Sequence, residues 1–237
     1  MAIIVINPYQ YAAPIGPLVD PYFNYVSLLL HGNGTNGSTT FTDSSSYGHT
    51  VTANGNAQIS TAQSKFGGAS MYFDGNGDYL ALAQDSSLNF GSGDFTFELW
   101  VYILSQTIDM LVGSSSAYSN VQLLRINRLG NYEDLSLFLN GKFFLIQNSG
   151  VTVNSWHHLA LTRSGTTVRV FVDGTLAGST TSNHALAVDK IGAFYYQGNL
   201  YSMPYYFKGY MDDLRVTKGV ARYTSNFTPP TAPFPDI

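Results

Sequence analysis

The sequence predicts an all-β protein, a two-sheet antiparallel β-sandwich of the jelly-roll kind. Short segments rich in β-branched and aromatic residues recur between clusters of Gly, Asn, Asp and Ser. Several segments alternate apolar and polar residues, as in 167–172, and this predicts strands with one buried and one wet face. No long helical pattern appears, and no linker-like stretch divides residues 26–216, so we expect one β-sandwich domain over residues 26–228.

The composition narrows the classes of protein further. The 237 residues are 44% hydrophobic but only 11% charged, whereas a typical soluble domain has about a quarter charged residues. The 17 tyrosines and 15 phenylalanines supply enough apolar surface to exclude a disordered chain. A net charge of -4 with 11 lysines and arginines provides no basic stripe, so nucleic acid is not an expected partner. Because cysteine is absent, there is no disulfide framework, thiolate metal site or cysteine nucleophile.

The N-terminal residues 1–25 predict an extended docking arm. Proline alternates with aromatic residues there, and Asp20 is the one charge. The aromatic residues expected to dock are Tyr9, Tyr11, Tyr22, Phe23 and Tyr25. No basic segment precedes the short apolar run that Pro8 interrupts, so we expect no signal peptide and synthesis in the host cytoplasm. The longest strongly apolar run, 99–104, is too short for a membrane span.

From Val26 onward the strand signals follow one another in order. The predicted strands are Val26–Leu30, Ala69–Phe73, Tyr79–Ala83, Phe95–Ile103, Val121–Ile126, Leu135–Leu139, Phe143–Gln147, Trp156–Arg163, Val168–Val172 and Tyr210–Val216. Asn140-Gly141 and Asp173-Gly174 each stand between two of these strands and predict tight hairpin turns.

One strand is expected at the centre of a sheet. In 95–100, three large apolar residues alternate with Thr96, Glu98 and Trp100, so large side chains face both ways. Trp156 and Leu159 are expected to anchor the opposite sheet. The proline-rich C-terminal tail, residues 229–237, cannot enter a sheet interior and predicts a surface strap that starts near Asn226.

Five ordered segments resemble one family. They are Lys65–Leu80, Asp94–Trp100, Trp156–Arg163, Val170–Gly174 and Gly209–Val216. Together they resemble the laminin G-like jelly-roll branch of the concanavalin A-like lectin and glucanase superfamily, over about residues 26–228. The closing segment, Thr217–Pro230, is similar to the version found in virion proteins of tailed bacteriophages.

The resemblance implies a non-enzymatic structural protein of a bacteriophage virion, as a capsid decoration, fibre or tail-associated protein. Its implied partners are other virion proteins and further copies of the same chain. The alternative is a carbohydrate-binding module for host or environmental glycans, and a glycoside hydrolase is the third reading.

The carboxylates argue against hydrolysis. Glucanases of the superfamily place paired acids on one strand, but Glu98 stands alone between Thr96 and Trp100. Asp212-Asp213 and His157-His158 are adjacent pairs, so within a strand their side chains point to opposite faces. Glu98 is therefore expected to be a solvated or cation-paired strand residue, and no catalytic residue is assigned.

Two acidic segments raise the question of calcium. Asp74–Asp78 carries oxygen ligands at alternate positions, but Tyr79 stands where a calcium loop needs glycine, so a turn between strands is predicted. In the family, a structural ion often ties an early loop to the last strand. Asp43 and Asp212 match those places, and the resemblance therefore implies structural calcium there, with no other cofactor required.

The segment Phe194–Phe207 holds seven aromatic residues in fourteen. Gly198 and Pro204 indicate that part of it is a loop, and aromatic residues on loops commonly form recognition surfaces. Core packing, a protein interface and a glycan site all stay open as its role. The ligand-binding or interface residues predicted here are Tyr195, Tyr196, Tyr201, Tyr205 and Tyr206. Arg215 and Arg222 are expected on the surface or paired with the C-terminal strap.

Overall fold

The computed structural model describes residues 19–104, 109–114, 122–129, 132–139, 142–193 and 206–237. Their secondary structure is almost entirely β. In chain order the strands are β1 (Val26–Leu30), β2 (Val51–Asn54), β3 (Gln58–Ser60), β4 (Ser70–Asp74), β5 (Tyr79–Leu82), β6 (Asn89–Gly91), β7 (Phe95–Ile103), β8 (Asp109–Gly113), β9 (Gln122–Leu129), β10 (Tyr132–Leu139), β11 (Lys142–Val151), β12 (Trp156–Ser164), β13 (Thr167–Val172), β14 (Thr175–Thr181), β15 (Leu186–Ala187), β16 (Lys190–Ile191) and β17 (Lys208–Lys218). Two short 3-10 helices, Phe23–Tyr25 and Ser86–Leu88, complete the elements.

The strands form two main antiparallel sheets. We name the first the front sheet; its order is β14-β13-β12-β7-β17-β4-β3, and β1 also pairs with β17. The second, the back sheet, has the order β11-β10-β9-β8-β16-β5-β2. Strands β6 and β15 form a separate two-stranded sheet. The predicted two-sheet antiparallel sandwich is confirmed.

The hairpin turns follow the sequence signals. Val172 pairs with Thr175 across Asp173-Gly174, and both turn residues have positive φ, 49° and 77°. This is the left-handed geometry that a two-residue hairpin requires. Leu139 pairs with Lys142, so β10 and β11 are also joined by a two-residue connection.

The core lies between the two sheets. Alternate residues of β7, namely Phe95, Phe97, Leu99 and Val101, are fully buried there. The opposite face of β7 is also covered, because Thr96 and Glu98 are 0% exposed. This confirms that β7 is a central strand with large side chains on both faces.

One predicted placement is wrong. Trp156 and Leu159 were expected in the opposite sheet, but β12 pairs directly with β7, with Trp156 opposite Tyr102 and Leu159 opposite Leu99. Alternation identifies the face on which a side chain lies, but it does not identify the neighbouring strand.

The chain ends cover part of the outer face of the front sheet. The hydroxyl of Thr96 donates to the backbone carbonyl of Val220, and the hydroxyl of Thr162 donates to the backbone carbonyl of Tyr223. Phe234 is 3% exposed and packs on Val26 and Leu29 of β1. We name residues 220–237 the C-terminal strap, which begins six residues before the predicted start at Asn226. No helix in the described ranges is long and apolar enough to cross a membrane.

Candidate functional site

Four aromatic side chains form a row across the outer face of the front sheet. Tyr72 on β4 is registered opposite Tyr210 on β17, Tyr210 opposite Tyr102 on β7, and Tyr102 opposite Trp156 on β12. We name these four residues the aromatic row. Gln58 on β3 lies opposite Tyr72 and extends the row with an amide.

The rings of the aromatic row contact one another in sequence. The ring centroids of Tyr72 and Tyr210 are 5.0 Å apart with the planes inclined by 41°. The Tyr210–Tyr102 pair is at 5.9 Å and 78°, and the Tyr102–Trp156 pair is at 5.6 Å and 61°. Tyr210 is 9% exposed, whereas the other three side chains are half-buried. The aromatic row is therefore a corrugated strip whose deepest ring is that of Tyr210.

Strand alternation explains why these rings face outward. Tyr72 stands between Met71 and Phe73, which both point into the core and are 0% exposed. Tyr102 stands in the same way between Val101 and Ile103. Because successive side chains of a strand point to opposite faces, each tyrosine is directed away from the core.

The aromatic row is not predicted as a site from the sequence. Its members are far apart in the chain, and only the pairing of four strands brings them together. The available signal was the position of each tyrosine between core residues, as in Met71-Tyr72-Phe73.

A second, buried line of polar residues lies beside the aromatic row. Asp212, Trp100 and His158 are cross-strand neighbours on β17, β7 and β12. The Lys65 ammonium lies 3.7 Å from the centre of a Trp100 ring, in a cation–π contact. Within the described residues, Trp100 Nε1, Asp212 Oδ1 and His158 Nδ1 are buried without a hydrogen-bond partner, whereas His158 Nε2 lies 3.4 Å from Glu98 Oε2.

Asp212 is held by backbone donors from the loop before β4. Its Oδ2 accepts hydrogen bonds from the N–H groups of Lys65 and Phe66, at 2.6 and 3.0 Å. Burial, together with the charge of Asp213, raises the pKa of Asp212 to about 7, although the two N–H groups oppose the shift.

Glu98 belongs to a buried charge network that fastens both chain ends. Its Oε1 accepts hydrogen bonds from Arg215 Nε and Nη2 at 3.0 and 2.8 Å, and its Oε2 accepts one from the Tyr223 hydroxyl at 2.8 Å. Arg215 Nη1 also donates to Asp20 at 3.0 Å, and Arg222 donates to both Asp20 oxygens at 2.9 and 2.6 Å. We name Glu98, Arg215, Asp20, Arg222 and Tyr223 the terminal clamp.

The electrostatics of the terminal clamp keep its carboxylates ionised. Burial alone would raise the pKa of Glu98, but Arg215, with His158 and Arg222, lowers it to about 2. Burial would also raise the pKa of Asp20, and the hydrogen bonds from Arg222 and Tyr22 lower it overall. Glu98 was expected to be either solvated or paired with a cation. It is paired with Arg215 and is fully buried.

The histidine pair divides between the faces of β12, whereas Asp213 lies at an irregularity that breaks the alternation of β17. His158 lies opposite Trp100 on the outer face, whereas His157 lies opposite Val101 and contacts Asp173 Oδ2 at 2.7 Å. Asp213 sits at an irregularity in β17 with φ of 49°, and its oxygens contact His31 Nδ1 at 2.6 Å and accept from the Phe234 N–H at 2.7 Å. Neither pair forms a dyad.

The two implied calcium ligands, Asp43 and Asp212, accept hydrogen bonds from different parts of the protein. Asp43 Oδ1 accepts from the N–H groups of Leu29 and Ser45, and its Oδ2 accepts from the Ser45 hydroxyl and the His49 N–H, all at 2.8–2.9 Å. Both Asp43 oxygens are thus filled by donors, and Asp212 binds a different loop. No group of three or more His, Asp or Glu side chains that could hold a metal occurs in the described ranges. Asp43 and Asp212 therefore do not fit a shared calcium ion.

Asp74–Asp78 forms the predicted turn, and it connects β4 of the front sheet to β5 of the back sheet. Asp78 is 0% exposed; it accepts from the N–H groups of Asn56 and Asp74, at 2.5 and 2.7 Å. Its carboxylate therefore holds the turn together.

Most of the predicted ligand-binding patch lies outside the described residues, namely Tyr195, Tyr196, Tyr201 and Tyr205. Tyr206 is half-buried and bridges to Ala193. Phe207, at the end of that segment, is fully buried and packs on Phe73 at 5.7 Å, so it belongs to the core.

The docking-arm residues divide in a similar way. Tyr9 and Tyr11 lie outside the described residues. Tyr22 and Tyr25 are 43% and 52% exposed, and Phe23 packs against the cluster that contains Phe234. Two of the described arm residues therefore offer free aromatic surface, and one packs on the sandwich.

Of the two arginines expected on the surface or at the strap, Arg215 is buried and Arg222 is half-buried. Arg215 is 5% exposed, and its guanidinium lies 3.7 Å from the Phe234 ring centre. Arg222 contacts Asp20 and also donates to the Thr217 hydroxyl at 2.7 Å. Pairing with the strap is confirmed for Arg215, and its predicted surface placement is wrong.

Several solved structures of other proteins share the fold of this chain. The binding domain of Paraclostridial Mosquitocidal Protein 1 superposes with a TM-score of 0.57 and 14% identity, over 83% of this chain and 49% of that one. Domain 4 of AbnA, a GH43 extracellular arabinanase from Geobacillus stearothermophilus solved with arabinotriose, gives 0.56 and 17%, over 83% and 93%. A botulinum neurotoxin type C structure, described by its dependence on two ganglioside molecules for cell entry, gives 0.54 and 13%, over 84% and 49%.

At these identities the likeness shows the fold alone, and the chain spans about half the length of the two toxin chains. No curated protein matches the sequence. The Laminin G model described as the concanavalin A-like lectin/glucanases superfamily matches residues 74–222, which is more than half of the chain. The protein therefore belongs to the concanavalin A-like lectin/glucanases superfamily, in its laminin G-like group.

Proposed function

We propose that this lectin-like β-sandwich is a non-enzymatic, glycan-binding module whose binding surface is the aromatic row. The observation that carries the proposal is the alignment of Tyr72, Tyr210, Tyr102 and Trp156 across four neighbouring strands. Aromatic faces stack on the C–H faces of sugars, while phenol, indole and amide groups hydrogen-bond to sugar hydroxyls.

The state of Glu98 supports a binding role over hydrolysis. A glycosidase needs one carboxylic acid that is still protonated near neutral pH, together with a second carboxylate facing the same bond. Glu98 is 0% exposed and accepts hydrogen bonds from Arg215. The other acid of the terminal clamp, Asp20, accepts a hydrogen bond from the same arginine, so Arg215 stands between the two carboxylates. Both pKa values are lowered, so neither acid holds a proton to donate.

Two of the structural neighbours also bind carbohydrate according to their descriptions, one with arabinotriose and one with gangliosides. These two neighbours support sugar recognition as a role that this fold can serve.

Screening of the intact protein on a broad glycan array tests the proposal. We expect binding to at least one glycan, and loss of that signal in the Tyr102→Ala, Trp156→Ala double variant. Tyr47→Ala is the matched control, because Tyr47 is a 52% exposed tyrosine outside the aromatic row. Retained binding in the double variant, with an unchanged circular dichroism spectrum, would remove the aromatic row as the site.

A second candidate is a structural role in a bacteriophage particle, as a capsid decoration, fibre or tail-associated protein. It is supported by the resemblance of the closing segment and by the N-terminal arm. Val19, Tyr22 and Tyr25 are 66%, 43% and 52% exposed, next to the point where Asp20 is fastened in the terminal clamp. Exposed apolar side chains on a fixed base suit docking onto other virion proteins.

Particle incorporation of a deletion variant tests this second candidate. The deletion should cover residues 1–18, because Asp20 and Phe23 contribute to the sandwich itself. We expect incorporation into particles to fall while the thermal midpoint of the isolated protein stays unchanged. Full incorporation of the shortened chain would rule out docking through residues 1–18.

A further inference from the structure

We propose that Asn76, in the middle of the turn between β4 and β5, is a site of spontaneous deamidation that adds a negative charge to the folded protein. The co-reactant is water, and the site is independent of the proposed glycan-binding function. The fold selects this asparagine among several that share the same reactive sequence.

The reaction joins the Asn76 side chain to the backbone of the next residue. Asparagine followed by glycine is especially prone to it, because glycine has no side chain to keep its nitrogen away from the asparagine amide. The Gly77 nitrogen attacks Asn76 Cγ and closes a cyclic succinimide. The Cγ–Nδ2 bond breaks, and Nδ2 leaves as ammonia with the proton of the Gly77 N–H. One water molecule then opens the ring at either carbonyl and leaves aspartate or isoaspartate at position 76.

The chain contains five Asn-Gly sequences, so sequence alone does not single out one of them. They are Asn33-Gly34, Asn36-Gly37, Asn54-Gly55, Asn76-Gly77 and Asn140-Gly141. The first four lie within the described residues. Contacts that hold the asparagine amide or the glycine N–H must open before the ring can close, and they therefore protect the asparagine.

Asn36 is protected at both reacting groups. The Gly37 N–H donates to the carbonyl of Ile59 at 2.8 Å, and Asn36 Oδ1 accepts from the Thr61 N–H at 3.0 Å. Ring closure there requires the loss of both hydrogen bonds.

Asn54 and Asn33 are held in other ways. Asn54 Nδ2 donates to the carbonyl of Thr52 at 3.1 Å, and the Cα of Gly55 packs directly against the β4–β5 turn. The amide of Asn33 lies so close over Gly67 that a Cβ at that glycine would overlap it. Each side chain is thus kept from moving towards the following nitrogen.

Asn76 lacks these restraints. Its side chain is exposed, and its amide makes no hydrogen bond within the described residues. Gly77 has a φ of 81°, its Cα faces open space, and its N–H is likewise without a hydrogen bond in that part of the chain. The Asn76 N–H donates to Asp74 Oδ1 at 2.7 Å, which leaves the side-chain amide free. The two reacting groups can therefore meet while the sandwich stays folded.

The product changes the charge of the turn. A carboxylate at position 76 stands between Asp74 and Asp78 in the chain. Asp78 is 0% exposed and holds the turn through the N–H groups of Asn56 and Asp74, while its burial and the charge of Asp74 raise its pKa. A third negative charge therefore loosens the connection between the front and back sheets by repulsion.

Peptide mapping by mass spectrometry tests the site on the full chain, incubated at mildly alkaline pH either folded or in urea. In the folded protein we expect Asn76 to convert at least about tenfold faster than Asn36 or Asn54, because their hydrogen bonds must open first. In urea, where these contacts are lost, the three should convert at similar rates. Equal rates in the folded protein, or a preference for Asn76 that persists in urea, would overturn the proposal.

Two variants that carry the product charge test its effect on the turn. Asn76→Asp should lower the thermal midpoint by roughly 2 °C. Asn36→Asp is the matched control, because a carboxylate can keep the hydrogen bond from the Thr61 N–H, and it should leave the midpoint unchanged. Equal midpoints for the two variants would overturn the loosening of the turn.

Discussion

Replacement of Arg215 by methionine tests whether the terminal clamp holds the chain ends on the sandwich. Arg215 is 5% exposed and binds Glu98 and Asp20 at 2.8–3.0 Å. Methionine fills most of the volume of the side chain but leaves the fully buried carboxylate of Glu98 without its main cation. Breaking a buried ion pair on one side costs about 3–5 kcal/mol.

The expected cost lies near the lower end of that range. Glu98 keeps the Tyr223 hydroxyl at 2.8 Å, and Asp20 keeps Arg222 at 2.6 and 2.9 Å. We therefore expect Arg215→Met to lower the free energy of unfolding by about 3 kcal/mol, a large share of the roughly 5–15 kcal/mol that holds a typical domain.

Urea denaturation measures this loss, with an unchanged m-value showing that the native state stays compact. The Glu98→Gln, Arg215→Met double variant should recover part of the stability, because it leaves no unpaired buried charge. Lys142→Met, which removes an exposed cation, is the matched control and should change little. A loss below about 1 kcal/mol for Arg215→Met, or no recovery in the double variant, would refute the clamp.

Two further predictions concern acid stability and calcium. The pKa of Glu98 is lowered from 4.5 to about 2, so its contribution to stability is complete above pH 4.5 and is lost as the pH falls towards 2; this amounts to about 3 kcal/mol. Denaturation series between pH 5 and 2 should show that slope in the wild type and a flatter one in Glu98→Gln, and equal slopes would contradict the shift. Because both Asp43 oxygens already accept hydrogen bonds from protein donors, chelation with EDTA should leave the thermal midpoint unchanged, while Asp43→Asn should cost roughly 1–3 kcal/mol. A midpoint that falls on chelation would restore calcium as a ligand.

Local patterns were sufficient to predict much of the fold. The alternation in β7 identified two buried faces, and Asp173-Gly174 identified a hairpin, because strand facing and turn geometry depend on neighbouring residues. The placement of Trp156 in the opposite sheet was wrong, because pairing between distant strands leaves no comparable local signal.

The candidate site depended on that long-range pairing. Tyr72, Tyr102, Trp156 and Tyr210 become neighbours only through the order β4-β17-β7-β12. The same is true of the terminal clamp, since Asp20 and Arg215 come from opposite ends of the chain. A low charge content was visible in the sequence, but the burial of Glu98, Arg215 and Asp20 beneath the chain ends was not.

The most direct test of the central claim compares two aromatic surfaces in one glycan-binding experiment. One variant carries Tyr72→Ala, Tyr102→Ala and Trp156→Ala in the aromatic row; the other carries Tyr195→Ala, Tyr196→Ala and Tyr205→Ala in the tyrosine-rich segment. Both are measured by calorimetric titration with the glycan that the wild type binds, after circular dichroism has shown that they are folded. We predict that the row variant loses binding and that the second variant keeps it. Full binding by the row variant, with loss in the other, would contradict the assignment of the aromatic row as the glycan site.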